Sequence, residues 1–149
     1  MLKAKYFVLI ILLLSNLNLY LNFKKYESFK LQKILLFDLA ENKSSLNIND
    51  LPKFIFPNLT VNSIPIKSLY SRYYEASGDI DYSIKLLKEG ISGNPYLALT
   101  FYLTSRAYIN QNDLLKAYNY SYKAYKLSPN IESVNALYIA LDQILKDSL

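Results

Sequence analysis

The chain has 149 residues with a formal net charge of +5; 52% of them are hydrophobic, 15 are tyrosines, and none is cysteine, histidine or tryptophan. This length suits one domain, and the missing imidazole and thiol side chains remove the usual general base near neutral pH and the usual sulfur nucleophile. Because no phosphate-binding glycine loop or metal-ligand spacing is present either, the composition predicts a protein that is not an enzyme and binds no cofactor or metal.

The positive charge is concentrated at one end of the chain. Six lysines and one glutamate lie before Ile34, whereas from Ile34 onward basic and acidic residues number eleven each. This distribution suits anionic lipid head groups beside an apolar segment. It does not form the basic surface that nucleic acids require, so we expect no nucleic acid partner.

Residues 1–23 are predicted to contain a membrane-spanning signal anchor. Residues 6–23 read YFVLIILLLSNLNLYLNF, a run of 18 residues without a charge, with lysines on both sides. A transmembrane helix needs about 20 mostly apolar residues, with a lower limit near 17. A cleaved signal peptide is one alternative, although the small residues of a cleavage site are missing. A buried helix of a soluble protein is the other.

Two signals bear on the side of the membrane where the rest of the chain lies. Lysines tend to remain in the cytoplasm, and four lysines follow the apolar run before Ile34, against two that precede it. A very short amino-terminal tail, by contrast, usually stays in the cytoplasm and places the remainder outside. We expect a single-pass membrane protein whose larger part is extracytoplasmic.

Residues 24–41 are predicted to form an amphipathic helix that continues from the membrane segment. Their apolar side chains recur at mixed spacings of three and four: Phe29, Ile34, Leu36, Phe37 and Ala40. Residues 42–65 are predicted to be a connector, since Pro52, Pro57 and Pro65 oppose a helix there. Its apolar residues are expected to pack against one end of the following domain; they are Leu51, Phe54, Ile55, Phe56 and Leu59.

A repeat of 34 residues organises residues 66–149. The residues that recur 34 positions later are Ser71 at Ser105, Arg72 at Arg106, Tyr74 at Tyr108, Asp79 at Asp113 and Pro95 at Pro129. This period is typical of stacked helix-turn-helix units. We therefore predict an all-α fold with helices at 66–77, 80–92, 96–111, 114–127 and 131–147.

The two repeats, residues 64–97 and 98–131, resemble the tetratricopeptide repeat (TPR) family. The matching residues are Ser71, Tyr74, Gly78, Leu87, Gly90 and Pro95 in the first repeat and Ser105, Tyr108, Ala117, Ala124 and Pro129 in the second. Ser83, Asn112 and Ser121 depart from the family pattern. The resemblance implies two antiparallel helix pairs and a capping helix at 131–147. Because solenoids generally have three or more repeats, the upstream helix, the connector or a second chain is expected to complete the core.

The resemblance also implies a concave groove that binds a protein or peptide. The positions that would line it are Ser68, Arg72, Glu75, Leu99, Tyr102, Arg106, Ile109 and Asn110. Arg72 and Arg106 are the only arginines in the chain, and paired guanidinium groups suit a carboxylate, a phosphate or an acidic sugar. The alternative is an internal pair between Arg72 and Glu75 that binds nothing. The family's carboxylate clamp of lysine and asparagine residues is not matched.

These features predict a membrane-anchored TPR scaffold for protein–protein interaction, with a partner that could belong to a membrane protein complex. A second interpretation comes from residues 56–96, which resemble the segment after the last membrane helices of bacterial O-antigen ligase or polymerase-like proteins. It implies an accessory or carboxyl-terminal part of a glycan assembly protein. A third is a module that only dimerises, which would make the protein a homo-oligomer.

Overall fold

The computed structural model describes residues 2–52 and 58–147. Its helices are α1 (Leu2–Ala40), α2 (Ile66–Ala76), α3 (Ile80–Gly93), α4 (Ala98–Asn110), α5 (Leu114–Leu127) and α6 (Glu132–Asp147). A short 3₁₀ helix lies at Ile48–Asp50, and the described residues contain no β-strand. The predicted all-α fold is therefore confirmed. The predicted packing of Phe54, Ile55 and Phe56, and the turn expected at Pro57, lie outside these ranges.

The two helix pairs, α2 with α3 and α4 with α5, turn at chemically equivalent corners. Gly78 and Asn112 both have a positive φ, of 89° and 60°, which glycine and asparagine tolerate best. Asp79 then caps α3 by accepting a hydrogen bond from the backbone N–H of Tyr82 at 3.1 Å, and Asp113 caps α5 in the same way at 3.0 Å. The sequence period of 34 residues is thus also a structural period.

The prolines of the repeat lie before the helices that they were expected to start. Pro95 and Pro129 occupy turns, and the helices that follow begin three residues later, at Ala98 and Glu132. The predicted start of α4 at residue 96 is therefore two residues early, because Leu97 has an extended backbone and serves as the cap of that helix. Pro95 instead belongs to the turn, where its fixed φ is favourable.

The helix pairs approach closely because small side chains lie between them. Ser68 on α2 is fully buried, and its Oγ is 3.1 Å from Oγ1 of Thr100 on α4. Gly90 on α3 lies directly beside this contact, and a Cβ placed there would overlap the Ser68 hydroxyl. Ser105 is also fully buried and donates a hydrogen bond to the carbonyl of Ala117 at 2.7 Å. Each helix from α2 to α6 packs against the next one in sequence.

Helix α1 is continuous across the predicted membrane segment and the residues after it. It is the one described helix that is long and apolar enough to cross a membrane. Residues 24–40 of the same helix pack against α2, and Leu35 enters a core cluster with Leu69 and Tyr73. The end of the repeats is therefore covered by α1, as one of the sequence expectations proposed.

The face of α1 that packs on the repeats is not the apolar one. Its buried residues are Ser28, Gln32, Leu35 and Asp38. Phe29, Ile34 and Phe37 are exposed by 42%, 39% and 59%, so the expectation drawn from their spacing was wrong about which face is buried. In the connector, Leu51 is buried as predicted, whereas Leu59 is 40% exposed.

Gly90→Ala tests the close approach of α2, α3 and α4. We expect the substitution to lower the free energy of unfolding by about 1–2 kcal/mol, since the new methyl group displaces the Ser68 hydroxyl from Thr100. Adding Ser68→Ala should restore part of that loss. Gly93→Ala is the control, because a Cβ there meets nothing closer than 3.8 Å. Urea unfolding followed by circular dichroism measures all four proteins, and equal stability of the two glycine variants would contradict the packing argument.

Candidate functional site

A cleft of about 310 Å³ brings together residues from α1, α2 and α4. It is lined by Asn42, Ser44, Arg72, Glu75, Ala76, Leu103, Arg106 and Asn110. Four of the predicted groove residues, Arg72, Glu75, Arg106 and Asn110, therefore meet at one place. Leu103 and Ala76 supply its apolar floor and edge.

The two arginines of the cleft are not neutralised by carboxylates. In the part of the chain that the structure describes, the ion pairs within 4 Å all involve lysines. Arg72 donates a hydrogen bond to the side-chain oxygen of Asn42 at 3.2 Å, and Glu75 accepts one from the amide of Asn110 at 2.6 Å. The alternative pairing of Arg72 with Glu75 is therefore wrong, because Asn110 holds that carboxylate instead.

Burial lowers the pKa of Arg72, and the positive charge of Arg106 acts in the same direction. An arginine remains protonated in proteins in spite of such shifts. The lowered pKa means that the two positive charges repel each other within the cleft. An anion placed between them would relieve that repulsion.

The buried carboxylate of Asp38 holds the rim of the cleft. Asp38 is 1% exposed and accepts hydrogen bonds from the Tyr73 hydroxyl at 2.6 Å and from the backbone N–H and hydroxyl of Ser45 at 2.6 and 2.7 Å. These bonds fasten the chain that leaves α1 to α2. Asn42, which has a φ of 51°, and Ser44 reach the cleft from that fastened segment.

Hydrogen bonds decide the protonation state of Asp38. Burial by itself would raise its pKa, but the bonds from Tyr73 and Ser45, with the positive charge of Arg72 nearby, outweigh burial and hold the pKa below its ordinary value. Burial and the bond to Asp38 raise the pKa of the Tyr73 hydroxyl. At neutral pH an ionised acceptor therefore faces a protonated donor, which is a strong hydrogen bond.

The other predicted groove residues lie elsewhere. Ser68 is buried between α2, α3 and α4, so its placement in the groove was wrong, because Thr100 and Gly90 cover it. Leu99, Tyr102 and Ile109 are partly buried against an apolar cluster that includes Leu141 of α6. The predicted groove thus divides into a cationic cleft and an apolar stretch of α4 beside it.

Asn42 and Ser44 were missed as cleft residues by the sequence interpretation. Both belong to the segment that had been taken as a plain connector, and no local pattern indicates that it folds back onto α2. The available signal is weak: an asparagine just after a helix end is typical of a left-handed cap.

A second cleft, of about 490 Å³, lies between α3 and α5. Its charged groups largely satisfy one another. Gln111 donates to Asp81 at 2.7 Å, Lys116 pairs with Asp113, and Glu89 pairs with Lys67. We therefore regard this surface as a solvated face of the repeats.

No protein-family model and no curated protein matches this chain. Among the described residues, no group of three potential ligands could hold a metal ion. The fold and the cleft define an all-α, repeat-like helical protein with one candidate membrane-spanning helix. Anything finer depends on the chemistry of the cleft.

Asp38→Ala tests the fastening of α1 to the repeats. We expect a loss of about 1–3 kcal/mol of unfolding free energy at pH 7, because Tyr73 loses its buried acceptor. The wild-type advantage should shrink as the pH falls below about 4, since a carboxylate with a lowered pKa stabilises the fold only while it is ionised. Urea unfolding between pH 7 and 3 measures both effects.

The control for this substitution is Asp50→Ala. Asp50 is exposed on the short 3₁₀ helix, so its removal should change the unfolding free energy by less than about 0.5 kcal/mol. If the advantage of wild type over Asp38→Ala stayed constant down to pH 3, the ionised carboxylate would not be the fastening group.

Proposed function

We propose that this protein is a membrane-anchored scaffold of the TPR type whose cleft binds an anionic segment of a partner protein. The observation that carries the proposal is the meeting of Arg72 and Arg106 in one cleft. They occupy equivalent positions of the two repeats, on α2 and on α4. The repeat architecture itself therefore supplies the paired positive charges.

Paired guanidinium groups favour binding over catalysis. Each carries N–H donors in a fixed planar arrangement that matches a carboxylate or a phosphate, and each stays charged at physiological pH. Neither group can take a proton from a substrate. The one carboxylate in the lining, Glu75, already accepts a hydrogen bond from Asn110, so it is poorly placed to act as a base.

The surroundings of Arg106 indicate the kind of segment that would fit. Tyr102 and Ile109 lie one turn before and one turn after it on α4 and are both partly exposed. A bound peptide would place an acidic or phosphorylated side chain between the arginines and apolar side chains against these neighbours. An accessory role in glycan assembly stays a prediction, and an acidic sugar would suit the same arginines.

The continuous helix α1 would hold the cleft at a set distance from the bilayer. Asn42 follows the last residue of the apolar run, Phe23, by 19 positions. At the rise of an α-helix this corresponds to roughly 28 Å. The proposed partner is therefore met well beyond the lipid head groups, by a membrane-bound or soluble protein that extends to that height.

Removing both guanidinium groups tests the proposal. The chain carrying Arg72→Ala and Arg106→Ala should lose at least 90% of the partner protein that the wild-type chain co-purifies from detergent-solubilised membranes, since a charged pair is lost from the bound segment. Quantitative mass spectrometry of the two purifications measures the difference. Arg72→Lys with Arg106→Lys should retain part of the binding, because charge remains while the planar donor geometry is lost.

The matched control is Lys123→Ala with Lys126→Ala on the exposed side of α5, which removes two positive charges outside the cleft. It should leave co-purification unchanged. Equal recovery of the same partners by the double-arginine variant and by wild type would refute the cleft as the binding surface.

The side of the membrane can be tested because the chain contains no cysteine. We expect Ser128→Cys, in the turn before α6, to be labelled in intact cells by a maleimide that cannot cross membranes, as an extracytoplasmic domain requires. Lys3→Cys should be labelled only after the cells are opened. The reverse pattern would place the repeats in the cytoplasm.

A further inference from the structure

Helix α1 carries a second surface, on the side that the repeats leave free. Seven exposed residues recur along it at spacings of three and four, which places them on one side of an α-helix. We call them the outer stripe: Ser15, Asn18, Asn22, Tyr26, Phe29, Lys33 and Phe37. Ser28, Leu35 and Asp38 face the repeats instead, so α1 presents the stripe to other molecules.

We propose that the outer stripe binds the transmembrane helix of a second membrane protein, one that carries acidic residues just beyond the bilayer. The inference goes beyond the cleft, and it rests on the proposed insertion of residues 6–23 in a membrane. Within that segment the stripe is polar. Outside it the stripe is aromatic and basic.

The polar part of the stripe has hydrogen-bonding capacity that lipid tails cannot satisfy. Asn22 donates a side-chain hydrogen bond to the oxygen of Asn18 at 2.8 Å, which leaves the amide N–H groups of Asn18 and the oxygen of Asn22 with capacity for more. Ser15 adds a hydroxyl one turn deeper. Such side chains associate transmembrane helices by bonding across the interface. Asn16 differs, since its amide donates to the Leu12 carbonyl of its own helix at 2.8 Å.

The aromatic and basic part of the stripe lies too far from the bilayer for lipids to cover it. Counted from Phe23 at the rise of an α-helix, Phe29 stands roughly 9 Å, Lys33 roughly 15 Å and Phe37 roughly 21 Å beyond the apolar run. The head-group layer is only about 5–8 Å thick on each side. Tyr26 and Phe37 are 56% and 59% exposed, so a protein surface, rather than lipid, is the fitting cover.

Charge selects the kind of protein. Lys30, whose Nζ lies 4.7 Å from the centre of the Tyr26 ring, borders Lys33 on this side of the helix. The nearest acidic residue, Glu27, is held by Lys24 at 2.8 Å. A second copy of this chain, packed in parallel through the stripe, would place these lysines against each other. An acidic partner helix gains attraction where a second copy suffers repulsion.

A defined probe tests the proposal. The full-length chain is placed in phosphatidylcholine vesicles with one of two designed transmembrane peptides, which share a leucine-rich span containing one asparagine and differ only in a following helical segment rich in glutamate or in lysine. Energy transfer between fluorophores on chain and peptide measures association. We expect the glutamate peptide to bind at least tenfold more tightly than the lysine peptide.

Variants locate the surface. Lys30→Glu with Lys33→Glu should reverse the preference, whereas Lys123→Glu with Lys126→Glu on α5 should leave it intact. Asn18→Leu should weaken binding of both peptides several-fold, and Asn16→Leu should not. Equal binding of the two peptides by wild type, or self-association of the chain that is stronger than binding of the glutamate peptide, would overturn the inference.

Extraction of membranes with alkaline carbonate separates this inference from the anchoring on which it rests. If the chain is extracted, the anchoring proposed above is wrong. If the chain stays in the membrane and shows no preference between the peptides, only the outer stripe proposal fails.

Discussion

A single buried carboxylate joins three parts of this molecule. Asp38 lies near the end of α1, and its oxygens accept hydrogen bonds from Tyr73 of α2 and from Ser45 of the connector. A buried charge is costly unless its bonding capacity is filled. The three donors fill it only when α1, α2 and the connector take one arrangement, so this carboxylate sets the geometry of the cleft rim.

Local chemistry explains why the helices and corners could be predicted from the sequence. A glycine or asparagine followed by an aspartate ends one helix and caps the next without help from distant residues, as Gly78 and Asn112 do. The meeting of Arg72 and Arg106 was also predictable, because a fixed repeat period places equivalent residues on adjacent helices. The TPR assignment itself stays a prediction.

Long-range packing explains what the sequence did not reveal. The apolar pattern of residues 24–41 pointed to Phe29 and Phe37, yet the repeats receive Ser28, Gln32 and Asp38 because Tyr73 offers a hydroxyl to α1. Ser68 shares a helix with Arg72 but is covered by residues from two other helices. Asn42 reaches the cleft only because the connector is fastened to Asp38. None of these contacts has a signal in its own neighbourhood of sequence.

The unbroken course of α1 makes it a lever as well as an anchor. With no flexible joint between the apolar run and the cleft, a tilt of the membrane segment swings the whole cleft. Membrane helices tilt by about 20° on average, and over the roughly 28 Å between Phe23 and Asn42 such a tilt displaces the cleft sideways by about 10 Å. Bilayer thickness, which sets the tilt of a spanning helix, would then govern where this protein presents its arginines.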